Sequence, residues 1–289
     1  MTSRTVVVTG ATGNVGSELV RLLAGRADLD VRAVTRDPAG ADLPDGVAAV
    51  RADLLDPRDA SAHDAAFAGA DAVFLVWPTA SPEGAELVVD AIARHARRVV
   101  FLSALGVPES DPDGEPPAGL FHATLEWLIR RTGPEWTFLR AGGFATNTLG
   151  WAEEIRASGT VHWVYGGASR SLIHEADIAA VAARALTEDG HAGASYELTG
   201  PSVVTQVEQV RLIGEAVGRD VRWVELSEQD ARVRLRDQGW TPEFIEGGLA
   251  HWARIVDEPE PVTDTVEKLT GAPARSFAQW ANEHADAFR

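Results

Sequence analysis

The 289-residue chain has no cysteine, a single lysine (Lys268), one methionine and only two tyrosines, Tyr165 and Tyr196. Without cysteine there is no disulfide, no thiol nucleophile and no Cys-ligated zinc or iron–sulfur cluster. One lysine leaves little room for catalytic schemes built on an ammonium group. Positive charge is scarce as well: 26 basic residues stand against 43 acidic ones, a net charge of −17. Such a surface repels phosphate backbones and anionic bilayers, so neither nucleic acid nor membrane is expected as a partner. A small anionic ligand would need a local positive site. No apolar run reaches the roughly 18 residues of a membrane span. Met1–Arg4 leads into an apolar stretch with no basic-then-apolar leader. The expectation is a cytoplasmic protein that handles a small molecule, with a homo-oligomer left open. Arginine in place of lysine fits a GC-rich bacterial coding sequence.

Strand-like and helical segments alternate. Thr5–Thr9, Val31–Thr35, Val47–Arg51, Asp71–Val76, Arg98–Ser103 and Glu135–Arg140 read as strands. Asn14–Arg26, Glu83–His95 and Ala118–Arg131 read as helices, Val15, Leu19, Leu22 and Leu23 sharing one face of the first. Strands that are apolar throughout belong in a parallel sheet covered on both faces. The fold expected is α/β, a Rossmann-type doubly wound parallel sheet with a smaller C-terminal α+β substrate domain. The boundaries expected are 1–150 for the dinucleotide-binding domain, with 175–200 returning to it, and 151–174 plus 201–289 for the smaller one. Ligands bind along the carboxyl edge of such a sheet, near the point where strand order reverses. Glu109–Pro117 reads as an acidic, Pro-rich loop and Asp257–Pro261 as a linker-like turn.

The strongest motif is Thr9-Gly10-Ala11-Thr12-Gly13-Asn14-Val15-Gly16, between the first strand and the first helix. Gly10 permits the tight turn out of the strand. Gly13 lets backbone N–H groups approach a pyrophosphate, and Gly16 lets the helix pack closely on the sheet. The helix start adds oriented donors and partial positive charge. Gly10, Thr12, Gly13, Asn14, Val15 and Gly16 are therefore candidate cofactor contacts. There is no Walker lysine, which excludes ATP chemistry of the P-loop type. Where NAD-binding proteins place an acid for the ribose 2′-OH, this chain has Arg36, followed by Asp37. A guanidinium suits a 2′-phosphate. NADP(H) is the expected cofactor, and Asp37 leaves NAD(H) open.

Other candidates follow from position. Asp53 and Leu54 end the third strand, where a carboxylate meets adenine or serves as a turn acid. Trp77 and Thr79 end the fourth strand and are expected beside the nicotinamide ribose. Ser103 ends the fifth and is expected to face the nicotinamide. Phe144 and Asn147 follow the sixth, and Trp151 and Trp163 come soon after; these four are the candidate substrate contacts, Phe144 also reading as core. His174-Glu175-Ala176-Asp177 lacks the second histidine of a zinc helix because Ile178 stands there, so no metal site is expected. No G-x-S-x-G elbow supports hydrolase chemistry.

TGATGNVG, VTRDP, RADLLDP, VVFLSALGV, LEWLIRRTGPEWTFLRAGGFATN and the tail VTDTVEKLTGAPARSFAQW together resemble the NmrA-like branch of the atypical short-chain dehydrogenase/reductase superfamily. The resemblance spans nearly the whole chain. It implies a Rossmann domain with a smaller C-terminal domain and a substrate cleft between them. It also implies either NADPH-dependent reduction of quinones, dyes and similar conjugated compounds, or redox sensing with little turnover. The usual Tyr-x-x-x-Lys pair is missing: Ala118 falls at the tyrosine position and His122 at the lysine position. His122 is then expected to hold ribose hydroxyls or donate a proton, since imidazole titrates near neutrality, and Ser103 is a second candidate donor. The preferred reading is an NADPH-dependent oxidoreductase passing hydride to a quinone, iminium or dye-like acceptor. The alternative is an NADP(H)-binding regulator, and a non-redox reaction on the same fold is a third.

Overall fold

Val6, Val7 and Val8 are each at most 1% exposed. Consecutive strand residues point to opposite faces, so this burial requires cover on both sides of the sheet. The computed structural model describes residues 3–109, 111, 113–114 and 120–289. Ala118 lies outside them, as do Ser110, Pro112 and residues 115–117 of the acidic loop.

The chain runs β1 (Arg4–Val8), α1 (Asn14–Leu23), β2 (Leu29–Thr35), β3 (Ala48–Arg51), α2 (Ala60–Phe67), β4 (Ala72–Leu75), α3 (Ala85–His95), β5 (Arg98–Ala104), α4 (Phe121–Arg130) and β6 (Glu135–Ala141). After a 3-10 stretch at Ala145–Trp151 come α5 (Ala152–Ser158), β7 (Thr160–Trp163), β8 (Ser169–Arg170), α6 (Glu175–Thr187) and β9 (Ala194–Leu198). The rest is β10 (Val204–Thr205), α7 (Gln206–Val217), β11 (Arg222–Glu225), α8 (Glu228–Asp237), α9 (Pro242–Asp257), α10 (Thr265–Thr270), α11 (Phe277–Glu283) and α12 (Ala285–Phe288).

Two compact units emerge. The first is Met1–Ala141 with Glu175–Leu198 and Thr265–Ala272. Its seven strands pair in the order β3-β2-β1-β4-β5-β6-β9, all parallel. Helices α2, α3 and α4 cover one face, where Val73, Leu75, Val99, Phe101 and Phe138 pack with Val88, Ile92, Leu125 and Ile129. Helix α6 packs against α1 on the other, burying Leu19, Ile178, Val181 and Ala182. Each such valine, leucine, isoleucine or phenylalanine contributes about 1.5–3 kcal/mol. The doubly wound architecture is thus as expected. Strand order reverses between β1 and β4, and Thr9 fastens that point. Its Oγ1 donates to the Phe74 carbonyl at 3.1 Å and accepts from the Val76 N–H at 2.8 Å.

The second unit is Gly142–His174, Thr199–Asp264 and Pro273–Arg289. Here β7 pairs in parallel with β11, and β8 in antiparallel with β10. Trp151, Ile155, Val161, Ile213, Phe277, Trp280 and Phe288 form its main core, while Val164, Ala231, Leu235, Ile245 and Leu249 form a second one. Four of its helix starts are capped by side chains: Thr205 for α7, Ser227 for α8, Thr241 for α9 and Ser276 for α11, the last a complete capping box with Gln279. Such caps are worth about 1 kcal/mol each. No helix among the described residues is long and apolar enough to cross a membrane.

Candidate functional site

At the carboxyl ends of β1 to β4 the first unit opens a cleft of about 710 Å³. Gly10, Thr12, Gly13, Arg36, Asp53, Leu54 and Thr79, all expected from the sequence, line it. Asn14, Val15 and Gly16 form the first turn of α1 beside it; Asn14 is exposed, Val15 and Gly16 buried. Each glycine has a distinct task. Gly10 has φ +60°, and a Cβ there would stand 3.1 Å from that of Val76. A Cβ on Gly16 would overlap the Gly10 carbonyl oxygen and lie 2.7 Å from its carbon. The residue that Gly16 accommodates is therefore Gly10, in the turn itself, and not the sheet. Gly13 is the N-cap of α1 and no side chain caps that helix. Its first-turn N–H groups therefore have no side-chain partner, as a ligand-binding helix start requires.

Arg36 is exposed on the cleft wall and makes no ion pair or hydrogen bond with a described residue. It is not neutralised by Asp37, whose Oδ1 accepts the Gly40 N–H at 3.3 Å within its own turn. Asp53 lines the cleft and serves as a turn acid, its Oδ1 accepting the Leu55 N–H at 3.1 Å. Thr35, Ala41, Leu55 and Pro78 also line the cleft and were not anticipated, since nothing in their types marks them.

Three expectations need correction. The Trp77 indole is not in the cleft. It is 7% exposed in the apolar layer under α2–α4, its Nε1 donating to the Ser81 carbonyl at 2.6 Å. Ser103 is 3% exposed and donates its only proton to Glu126 at 2.6 Å. Glu126 also accepts from Arg140 Nε at 3.0 Å and Nη2 at 2.7 Å, and Arg140 reaches Glu109 at 2.7 Å. A hydroxyl held in a buried ionic network cannot serve as the donor to a substrate. His122 sits in the first turn of α4 with its ring 3.8 Å from that of Phe121 and 6.3 Å from that of Phe101. Burial lowers its pKa to about 4, so near pH 7 the ring is neutral and carries no imidazolium proton to give. It retains one N–H for hydrogen bonding. The two tyrosines are also engaged: Tyr165 donates to Glu228 at 2.5 Å, and the Tyr196 hydroxyl lies 2.9 Å from His191 Nδ1. Both phenols are shifted above their usual value, Tyr165 by the Glu228 bond and Tyr196 by burial.

The second unit holds a separate cavity of about 340 Å³. Asn147, Trp151 and Trp163 line it as expected. Phe144 does not; it is half-buried and its backbone bridges to Ile173. Trp240 and Trp252 complete the aromatic wall, the latter edge-on to Trp163 at 5.3 Å. Arg170 and Arg234 line it too and escaped sequence reasoning, because their surroundings come from distant segments. Glu260, in the stretch expected to be a linker, accepts from Arg170 Nε at 3.2 Å and from the Ser171 N–H at 3.1 Å. His174 meets Glu283 at 3.1 Å, and Glu175 and Asp177 open α6 as helix-start residues.

A glycine turn, an uncapped helix start and an unpaired arginine at the switch point of a parallel sheet define a Rossmann-type dinucleotide-binding protein. Comparison with known proteins makes this specific. Residues 10–189 match the NAD(P)H-binding family, and the chain belongs to it. It is 38% identical over 287 residues to a (4-alkanoyl-5-oxo-2,5-dihydrofuran-3-yl)methyl phosphate reductase of Streptomyces griseus, covering 98% of this chain and 99% of the relative. It is 34% identical over 290 residues to an NAD(P)H azoreductase of Xenophilus azovorans, with 98% and 99% covered. The fold matches that of a Citrobacter triphenylmethane reductase complexed with NADP(H), with TM-score 0.77, 23% identity, and 97% and 99% covered. The NAD(P)H-binding family and the oxidoreductase class expected from the sequence are borne out, and the NmrA-like resemblance holds at the level of the fold, with TM-score 0.66, 20% identity, and 98% and 95% covered for an NmrA mutant.

Proposed function

We propose that this protein is an NADPH-dependent reductase of small conjugated or aromatic compounds. The observation that carries the reading is the cleft itself, where the bare α1 start and the unpaired Arg36 meet at the sheet's switch point. Gly10, Gly13 and the first turn of α1 would hold the pyrophosphate, and Arg36 the 2′-phosphate. The reduced nicotinamide supplies the hydride. Relatives named as a reductase of an unsaturated lactone and as an azoreductase point to acceptors with conjugated, polarised bonds. The second unit, with Asn147, Trp151 and Trp163 on its cavity wall, is assigned the substrate.

Proton supply narrows the acceptor. Ser103 is bound to Glu126, His122 is neutral, and both tyrosines are hydrogen-bonded elsewhere. Substrates whose slow step needs no protonation by the protein suit this site: quinones, iminium ions and cationic dyes, with the proton drawn from water. The same observation favours a second reading, an NADP(H) sensor with little turnover. Measuring NADPH oxidation against a panel of quinones, imines, azo dyes and unsaturated lactones, beside NADPH binding by fluorescence, separates the two. Turnover on any acceptor establishes the reductase; tight binding with no turnover on the whole panel leaves the sensor.

A further inference from the structure

We infer that the second unit's cavity takes a flat molecule bearing an oxyanion group (carboxylate, sulfonate or phosphate ester), with Arg170 as the residue that recognises the anion. The inference deepens the reductase reading, restricting its acceptors to those that also carry an anionic group, and rests on it for calling that molecule a substrate. The cavity wall carries two charged side chains, Arg170 and Arg234, and no carboxylate, in a chain of net charge −17. Arg234 is already engaged. Its Nη1 donates to the His162 carbonyl at 2.9 Å, its Nη2 to Glu154 at 2.8 Å, and its guanidinium lies 5.6 Å from the Trp163 ring.

Arg170 is placed differently. Its side chain is 18% exposed, and only Nε is paired, with Glu260. Nη1 and Nη2 have no hydrogen-bond partner among the described residues. Glu260 also accepts from the Ser171 N–H through Oε2 and approaches His251 Nε2 at 3.3 Å, so it holds Arg170 through Oε1 and Nε alone and leaves the terminal nitrogens of the fork without a carboxylate partner. The backbone makes room for the fork. A Cβ on Gly143 would overlap Arg170 Nη2 and stand 2.6 Å from Cζ. A guanidinium anchored through Nε presents its two terminal nitrogens in the geometry that matches a carboxylate, sulfonate or phosphate edge. Around it Trp151, Trp163, Trp240 and Trp252 supply faces and edges for a flat apolar body.

The test needs binding alone, with the full chain and no cofactor. Naphthalene-2-sulfonate and its uncharged match, naphthalene-2-sulfonamide, are titrated by tryptophan fluorescence and calorimetry. The sulfonate is expected to bind at least ten-fold tighter, and the advantage to shrink as salt rises. Naphthalene-2-carboxylate and 2-naphthyl phosphate, run beside it, rank the oxyanions; any of the three leading the sulfonamide ten-fold supports the inference. Arg170→Gln should bring the ratio to within two-fold while sulfonamide affinity and the circular dichroism spectrum stay unchanged. Gly143→Ala, which keeps the charge but takes its seat, should lower the ratio likewise, and Arg170→Lys should restore part of it. Equal affinities in the wild type, or a preference that survives in Arg170→Gln, overturns the inference. An anion preference without NADPH oxidation on any acceptor leaves this site standing and removes only the reductase reading.

Discussion

Ser103 Oγ lies 2.6 Å from Glu126 Oε1, joining the end of β5 to the middle of α4 through a carboxylate that is 1% exposed. Arg140 from β6 closes the network with two bonds to Glu126, and Glu109 completes it on the outer side. Arg130 and Arg140 together hold the Glu109 carboxyl below its usual value. Ser103→Ala should therefore act on stability and not on hydride transfer, at a cost of about 1 kcal/mol and a fall in Tm of a few degrees. Glu126→Gln strips charge from a carboxylate that neutralises a buried guanidinium, and about 3–5 kcal/mol is expected. Thermal melts read both, with turnover measured on the same preparations. A hundred-fold loss of kcat in Ser103→Ala at unchanged Tm would return the hydroxyl to the chemistry.

The pH dependence at His122 has a definite sign. Its folded pKa, about 4, lies below the value of about 6.5 expected in the unfolded chain. Between those values the unfolded state binds the extra proton, so His122 weakens the fold as pH falls through that window and is neutral toward it above pH 6.5. His122→Phe keeps the packing against Phe101 and Phe121 but removes the titration. Melts of the two proteins should differ by a nearly constant amount above pH 6.5. Below it the wild type should lose ground by no more than about 1.4 kcal/mol per pH unit, the limit for one proton. A parallel pair of curves down to pH 4 sinks the assignment. NMR titration of the ring, expected to stay neutral at pH 6, is an independent check.

Local signals carried the elements and the strand pairing of the first unit, but in the second unit they marked elements such as the strand at Arg222–Glu225 and the Thr205-capped helix without showing how they pair, for one physical reason. β1 to β6 are short apolar or β-branched runs beside turn residues, and their partners follow at regular spacing, so Thr5–Thr9 or Arg98–Ser103 can be read without knowing what they touch. β7 depends on β11, with Thr160 registered on Arg222, and neither run announces that pairing. The site divides the same way. Gly10, Gly13 and Arg36 act from positions that a strand–turn–helix motif dictates. Ser103 looks available until Glu126 and Arg140 arrive from other elements. Trp77 sits at a strand end like a cleft residue, yet the apolar layer below claims its ring. Arg170 matters only because Gly143 and Glu260 converge on it.

The three loop glycines should separate folding from cofactor binding. Gly16→Ala drives a Cβ into backbone atoms of Gly10, where nothing can rotate away, and should lower Tm and NADPH affinity together. Gly10→Ala adds a left-handed φ of +60° to a 3.1 Å approach to Val76 and should behave alike. At Gly13 the new Cβ meets the Gly10 oxygen at 3.3 Å, a contact the turn can relieve with a small shift. Gly13→Ala should stay within about 1 kcal/mol of wild-type stability yet lose at least ten-fold in NADPH affinity, because its methyl stands where backbone donors approach the pyrophosphate. Calorimetric titration beside thermal melts tests the ordering. Gly13→Ala with full affinity contradicts the proposed use of the α1 start.

Arg36 is the residue we propose as the selector between the two dinucleotides. It lines the cleft without an acidic partner, and Asp37 beside it is turned back onto the Gly40 N–H. With the carboxylate engaged in its own turn, the group left to meet the adenosine ribose is a guanidinium, which gains from a 2′-phosphate and not from a 2′-hydroxyl. A charge-assisted hydrogen bond of this kind contributes about 1.5–3 kcal/mol, so Arg36→Ala should weaken NADPH binding about ten- to hundred-fold and NADH binding less than three-fold. The exposed site should also make wild-type NADPH affinity fall with added salt more steeply than NADH affinity, and Arg36→Ala should bring the two slopes together. Equal losses for both coenzymes would move phosphate recognition away from Arg36 and leave the cleft without its cationic selector.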